Sequence, residues 1–326
     1  MAHERPRAAL LMADDTRELL FDAARLERLR ALVDVGEADA SVEVLLTSWG
    51  APRLTAERLA RMPRLHAVFH CAGSVRGLVS DDLWRRGVLV TTAADANAVP
   101  VAEFTVAAIV LANKGALRAF RDPRAAFADW SPTAHAPDLR VGNLGRRIGV
   151  VGFSRVGRRV VDLLRGLDDM DVLVADPVAD ADEVAAAGAR LVPLVDLLPA
   201  VDVLSLHAPE LPATRRMIGA RELAALRDGA TIVNTARGAL VDHDALLAEC
   251  RAGRLDAVLD VTDPEPLPAD SGLYDLPNVV ITPHLAGSVG TEARRLADAA
   301  LDDLETWLAG GVPHRRVVAD DLGLSA

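Results

Sequence analysis

The sequence predicts an α/β protein built from two doubly wound domains, and three observations carry that prediction. Short aliphatic and β-branched runs alternate with helical patterns from end to end, the pattern of a parallel sheet flanked by helices. The alternation comes in two series, separated by a stretch with weak periodicity. At 326 residues the chain also exceeds the size at which one core usually stops growing.

In the first series the strand candidates are "AALLMA", "VEVLLTS", "LHAVFHC" and "VLVTTA". Segments such as "TRELLFDAARLERLRAL" separate them, with leucines at helical spacing. A long helix follows near residues 99–118, then an irregular arm at 119–147 rich in Pro, Arg and small polar residues. The second series runs "RIGVVG", "DVLVAD", "ARLVP", "VDVLSLHA", "ATIVNTA", "DAVLDV" and "NVVITP", each but the last pair separated by a helical or loop-helix segment. A last helical pattern occupies 289–309. Packed back on the first series, it makes that domain discontinuous, 1–98 plus 288–326, and leaves 99–287 as the second domain. A linear two-domain split is the alternative.

Lys plus Arg (36) against Asp plus Glu (47) gives a net charge of -11, which argues against a general polyanion binder and so against nucleic acid. Cys71 and Cys250 form no CxxC pair of the kind that marks a zinc or redox site, so no metal is expected and both thiols are read as buried or incidental. The N-terminal "MAHERPRAALLMADD" has an acid at Glu4 and too short an apolar run for a secretory signal, which predicts a cytoplasmic protein. The most apolar segment, "VPVAEFTVAAIVLANKGAL", carries Glu103 and Lys114 eleven residues apart, so it reads as a buried or subunit-contact helix rather than a membrane span.

The stretch "GVVGFSRVG" at 149–157 nearly spells the dinucleotide fingerprint G-x-G-x-x-G, with Ser154 at the middle glycine. The first glycine makes the strand-to-helix turn and the third packs helix on strand, roles that fall to Gly152 and Gly157. Serine is a mild replacement, small and able to hydrogen-bond a phosphate directly or through water. The next strand ends at Asp176, nineteen residues beyond Gly157, the spacing of a carboxylate that accepts from the adenosine ribose hydroxyls. No Arg or Lys occurs in the following "PVADADE" to hold a 2'-phosphate, which favours NAD over NADP.

Three later stretches put reactive groups at strand ends: "NTARGALVD" with Arg237, "LDVTDPEPLP" with Asp260 and Glu265, and "ITPHLAGS" with His284. A guanidinium matches a carboxylate, an imidazole exchanges a proton near neutral pH, and a carboxylate beside it holds it in place and favours its protonated form. With a hydride carrier, that set reduces a 2-oxo acid.

Across nearly its full length the chain resembles the D-isomer-specific 2-hydroxyacid dehydrogenase family, which includes phosphoglycerate, glycerate, glyoxylate and D-lactate dehydrogenases. The resemblance rests on "NAVPVAEFT" at 97–105, the fingerprint, "HAPELPATRRMIG" at 207–219, "NTARG" at 234–238, Asp260 with Glu265, and "TPHLAG" at 282–287. It implies a Rossmann NAD-binding domain and a discontinuous flavodoxin-like substrate domain. It further implies that Arg237 binds the substrate carboxylate and polarises the keto group. His284 would be the acid in reduction and the base in oxidation, with Glu265 pairing with it and raising its pKa. Asp260 would hold the nicotinamide carboxamide, Arg155 and Val156 would line the pyrophosphate turn, and His207, Ala208, Thr235, Ala236 and Gly287 would lie against NAD. Backbone amides near Ser74 and Val75 would hold the substrate from the other domain, in a cleft that closes over it. A homodimer through the long helix and the arm is implied as well.

The loop "CAGSVRGLVSDD" departs from the family, whose pattern has a second glycine and then Asp-Asn after the glycine matched by Gly73. Arg76 stands in this loop, either as a solvent-facing or interdomain residue or with its guanidinium reaching the cleft, where it would favour a substrate with a second anionic group. Glu265, where formate dehydrogenases carry Gln, argues against formate. The ending "GVPHRRVVADDLGLSA" leads us to expect no appended regulatory domain and no feedback control by serine through one. His3, His66, His70, His135, His243 and His314 sit in no ligand-like cluster and are given no chemical role. The expectation is therefore an NAD-dependent reductase of a small 2-oxo acid giving the D-2-hydroxy acid. An NAD-sensing binding protein, like the family's transcriptional corepressors, is the alternative, and an inactive relative crippled at Ser154 is a third.

Overall fold

A computed structural model describes residues 5–121, 124 and 141–320. The chain divides into two compact units, Met1–Val99 with Gly287–Ala326, and Pro100–Ala286. The crossings thus fall one residue away from the boundaries read in the sequence, and Gly287 goes with the first unit.

The first unit holds strands β1 (Arg7–Leu11), β2 (Asp34–Gly36), β3 (Val44–Thr47), β4 (Ala67–His70), β5 (Leu89–Thr92) and β13 (Arg316–Val317). Their order is β13-β5-β4-β3-β1-β2, parallel except for β13 against β5. The core of this arrangement, 2-1-3-4-5, is the flavodoxin-like doubly wound order. One face of the sheet is covered by the helix Ala293–Leu308, whose Leu296, Ala297, Leu301 and Leu304 recur at helical spacing and pack in the cluster holding Phe69 of β4.

The second unit holds β6 (Arg147–Val151), β7 (Asp171–Ala175), β8 (Arg190–Leu191), β9 (Val203–Leu206), β10 (Thr231–Asn234), β11 (Asp256–Leu259) and β12 (Val279–Ile281). They form one parallel sheet in the order β12-β11-β10-β9-β6-β7-β8. The chain starts in the middle at β6, runs to one edge, then returns beside β6 with β9, which makes the β6/β9 junction the switch point of a Rossmann sheet. Neighbouring residues serve opposite cores: Leu204 and Ile232 pack on one face, Val203 and Val233 on the other. Such two-sided burial explains why these strands read as continuous apolar runs.

All eleven strand candidates are strands. The two short edge strands, β2 and β13, carry no apolar run and gave no signal. The long helix runs Ala94–Asn113 rather than near 99–118, and it ends before Gly115 at φ +66°. It is long and apolar enough to cross a membrane by length and composition alone, and its Ala102, Ala108 and Ile109 pack in the second unit's core. The terminal helix starts at Ala293 after a short 3-10 turn, Gly290–Glu292. Of the arm at 119–147, most lies outside the described residues, as do His3 and His135.

Candidate active site

Register, more than any single residue, builds the site of the second unit. Ala175, Val151, Leu206, Asn234, Leu259 and Ile281 are each paired with the next across β7, β6, β9, β10, β11 and β12. They form one row at the carboxyl end of the sheet. The residues that follow the row are Asp176, Gly152, His207 with Ala208, Thr235 to Arg237, Asp260, and Thr282 to His284. The second unit's candidate groups thus stand at or beyond one sheet edge, where ligands bind open α/β sheets.

After β6 the chain turns at Gly152, φ +96°, where a Cβ would lie 2.6 Å from the Ala208 amide nitrogen. A Cβ on Gly157 would lie 2.0 Å from the Gly152 carbonyl oxygen, so the helix Arg155–Leu164 rests directly on the turn. Ser154 has φ −72°, ordinary for any residue, and its Oγ accepts from the Gly157 amide at 3.3 Å. The hydroxyl that replaces the middle glycine is thus the N-cap of its own helix. Asp176 is fixed by backbone donors: the Phe153 amide reaches Oδ2 at 2.7 Å and the Val178 amide reaches Oδ1 at 2.9 Å. A glycine turn with no room for side chains, the first amides of a helix and a carboxylate at the adjacent strand end fit a dinucleotide's pyrophosphate and ribose.

His207 is buried, with Nε2 2.8 Å from Ser205 Oγ, and burial pulls its pKa down to about 3. It is neutral at physiological pH. Thr235 Oγ1 lies 2.7 Å from Thr105 Oγ1, which in turn donates to the Val101 carbonyl at 2.7 Å. With the Thr105 proton so used, the Thr235 hydroxyl is the donor to Thr105. Its own lone pairs stay open.

Buried Asn234 staples the next turn at both ends: Nδ2 donates to the Arg237 carbonyl at 2.9 Å and Oδ1 accepts from the Ala236 amide at 3.1 Å. Arg237 Nη1 donates to the Ala236 carbonyl at 2.6 Å, and its other donors have no acceptor among the described residues. Gly238 is required by contact, since a Cβ there would stand 2.0 Å from the Thr262 backbone.

Asp260 is 2% exposed and its carboxylate is engaged on the last turn. Oδ1 accepts from Thr282 Oγ1 at 2.6 Å and from the Leu285 amide at 2.8 Å, while Oδ2 accepts from the Ala286 amide at 3.0 Å. Between those anchors stands His284 at φ +52°, a left-handed conformation that costs a non-glycine residue free energy and persists because its surroundings hold it. Its Nδ1 lies 2.7 Å from Glu265 Oε1, which directs Nε2 away from the pair. Asp260 therefore acts visibly as the clamp on the histidine turn, a role the sequence did not suggest. Asn234, Thr105 and Thr282 were likewise passed over, although each lies inside a motif the sequence displayed; they act on backbone and hydroxyl groups, which leave no spacing to read.

In the first unit, Ser74, Val75 and Arg76 lie on the loop after β4, and Ser74 Oγ accepts from the Arg76 amide at 3.4 Å. Among the described residues the Ser74 and Val75 amides donate to no group. In the same unit Gly287 stands beside Asn97, whose Oδ1 accepts from the Ser288 amide at 2.9 Å. Cys71 and Cys250 are free thiols, both buried, and burial pushes Cys250 up to about 12.

A Rossmann sheet with a glycine turn at its switch point, an acid at the next strand end and an Arg, Glu and His set along the same edge defines a dinucleotide-dependent oxidoreductase. Comparison with known proteins narrows the class. The family described as D-isomer specific 2-hydroxyacid dehydrogenase, NAD binding domain, matches residues 117–286. The chain is 32% identical over 290 residues to the (S)-sulfolactate dehydrogenase of Chromohalobacter salexigens, covering 88% of this chain and 91% of that one. It is 33% identical over 285 residues to the D-3-phosphoglycerate dehydrogenase of Mycobacterium leprae, covering 87% of this chain and 52% of that longer one, so it spans about half of that relative. The crystal structure of the TT0316 protein from Thermus thermophilus matches with a TM-score of 0.75 at 29% identity, over 96% of this chain and 100% of that one. The chain belongs to the D-isomer specific 2-hydroxyacid dehydrogenase family, and its function is that of an NAD-dependent oxidoreductase acting on the CH-OH group of 2-hydroxy acids.

Proposed function

We propose that this protein reduces a small 2-oxo acid to the D-2-hydroxy acid with NADH, in the order of roles set by the row of strand ends. That row is the observation that carries the reading. NAD is favoured over NADP because Asp176 stands where a 2'-phosphate would be repelled, and "PVADADE" offers it no cation. The turn from Gly152 through Ser154, Arg155 and Val156 to Gly157 holds the pyrophosphate, and His207, Ala208, Thr235, Ala236 and Asp260 line the rest, with Gly287 at the end of the histidine turn. When bound, the nicotinamide supplies the hydride. Arg237 holds the substrate carboxylate through its open donors and draws electron density from the keto group. Glu265 accepts a hydrogen bond from the Nδ1–H of His284, so Nε2 faces the carbonyl and delivers the one proton that becomes the hydroxyl hydrogen; oxidation reverses the transfer.

The loop Ser74–Arg76 supplies further substrate contacts, the amides of Ser74 and Val75 to the carboxylate and Arg76 to a second anionic group. The named substrates of the two curated relatives, sulfolactate and phosphoglycerate, each carry such a group beside the carboxylate. A homodimer in the cytoplasm completes the reading. The test is NADH oxidation against glyoxylate, hydroxypyruvate, pyruvate, sulfopyruvate and 3-phosphohydroxypyruvate, with NADPH in parallel. One or more acids should turn over, faster with NADH, and His284→Ala should lower kcat about a hundred- to ten-thousand-fold while NADH affinity holds. Near-normal turnover by His284→Ala would remove the proton-transfer role. NADH binding without turnover of any acid would move the reading to a cofactor-sensing protein. Relative efficiencies for mono- and dianionic acids left unchanged by Arg76→Ala would remove the second-anion contact.

A further inference from the structure

The backbone that follows β4 has its carbonyls held and its amides open. Ser48 Oγ, just beyond β3, donates to the Cys71 carbonyl at 2.9 Å. The Thr92 hydroxyl, at the end of β5, donates to the Ala72 carbonyl at 2.9 Å and also to the Gly73 carbonyl. The amides of Ala72, Gly73, Ser74 and Val75 find no acceptor among the described residues. Successive open amides are the means by which a backbone holds an anion.

Held carbonyls and open amides are two sides of one geometry, because a trans peptide points its N–H opposite to its C=O. The peptides of this loop are trans; the cis bonds are at Asp263-Pro264 and Glu265-Pro266. Each captured carbonyl therefore aims the amide that follows it: Ser48 sets that of Ala72, and Thr92 sets those of Gly73 and Ser74. The Ala72 carbonyl has a second donor, the Ala93 amide at 3.0 Å, whereas the Gly73 carbonyl has Thr92 alone among the described residues. The direction of the Ser74 amide is thus left to one hydroxyl. Thr92 gives that hydroxyl a fixed origin: it is 7% exposed, stands in register with His70 of β4, and its own amide donates to the Arg315 carbonyl at 3.1 Å.

We propose that Thr92 is a positioning residue for substrate binding: its hydroxyl draws the Gly73 carbonyl to the end of β5 and thereby aims the Ser74 amide at the substrate carboxylate. The inference rests on the reading that this loop contacts substrate. It gives a side chain that acts only through the backbone a share in substrate affinity.

The experiment pairs kinetics with hydrogen exchange. Thr92→Val removes the hydroxyl and keeps the shape, Thr92→Ser keeps the hydroxyl and removes the methyl, and Thr92→Ala serves as the second test if the valine variant folds poorly. With the panel acid that turns over fastest, Thr92→Val should raise KM about three- to tenfold, the scale of one net hydrogen bond, with kcat and NADH affinity within about twofold. Thr92→Ser should stay within about twofold of the wild-type KM. Unchanged KM in folded Thr92→Val or Thr92→Ala would overturn the proposal. So would a serine variant as impaired as the valine one, since the methyl's packing would then be the cause. The underlying reading has its own readout: oxamate with NADH should slow exchange of segment 72–78 in the wild-type protein. Protection there without a KM change in the variants fails Thr92 alone; no protection removes the loop from the substrate site, and the proposal with it.

Discussion

Acid should destabilise each unit of this protein more than its carboxylates require, because each buries a histidine that stays neutral. His70 in the first unit is 4% exposed and lowered to about 4; His207 in the second is 4% exposed and lowered to about 3, burial being the main cause in both. In the unfolded chain both return to about 6.5. Between roughly pH 6.5 and pH 4 the unfolded chain therefore binds protons that the native state refuses, and stability falls as pH falls. Each pKa unit is worth about 1.4 kcal/mol, so going from about pH 7.5 to about pH 4.5 removes on the order of 2.5 kcal/mol per histidine. Set against a typical domain stability of about 5–15 kcal/mol, that loss is readily measured. Urea unfolding at both pH values should show it, with His70→Gln and His207→Gln each losing the share of the unit they occupy, since an amide does not titrate. If either variant kept the wild-type pH dependence, the buried-neutral assignment for that histidine would be wrong.

Two further substitutions probe the cofactor and histidine turns. Asp260→Asn replaces a carboxylate that accepts three hydrogen bonds by a group that must turn a donor toward other donors. We expect a loss of about 2–3 kcal/mol in stability and a fall in kcat as the His284 turn loosens, read by denaturant unfolding and steady-state kinetics. Ser154→Ala removes the cap on the Gly157 amide and should cost about 1 kcal/mol in stability, with NADH affinity, measured by fluorescence titration, changed less than about threefold. A large loss of affinity without loss of stability would mean that the hydroxyl serves the phosphate instead.

The sheets were legible because, β13 apart, their strands are parallel and buried on two faces, so runs such as "VDVLSLHA" and "ATIVNTA" stand out whatever their partners. Edge strands β2 and β13 were not, being three and two residues long with no apolar run to mark them. The long helix was read near 99–118 but begins at Ala94, with Pro100 standing inside it. In the candidate site, the residues with chemistry of their own, Arg237, Glu265 and His284, declared themselves by type and order. The 2.7 Å contact of Glu265 with His284 adds geometry to a pairing already suggested. What could not be read was support. Asn234 and Asp260 act on backbone amides and carbonyls two to twenty-six residues away, and nothing in residue type says which amides a carboxylate will find.

That support has an order of its own. Asn234 shapes the turn that presents Arg237; Gly238, at the end of that turn, is pressed against the backbone of Thr262 after β11; Asp260, at the end of β11, clamps the turn after β12; and Glu265, from the loop after β11, holds the imidazole presented there. Each reactive turn is braced by the strand end beside it, so the positions of guanidinium and imidazole are coupled through backbone contacts rather than set independently. A coupled row explains why His284 is held at φ +52°: the conformation is fixed from both sides, by Asp260 on its flanking residues and by Glu265 on its ring. It also implies that loss of Asp260 and loss of Glu265 should not add. Once either brace is gone the imidazole is already misplaced, so the double variant should fall short of the product of the two single losses in kcat, the signature of residues acting through one shared group.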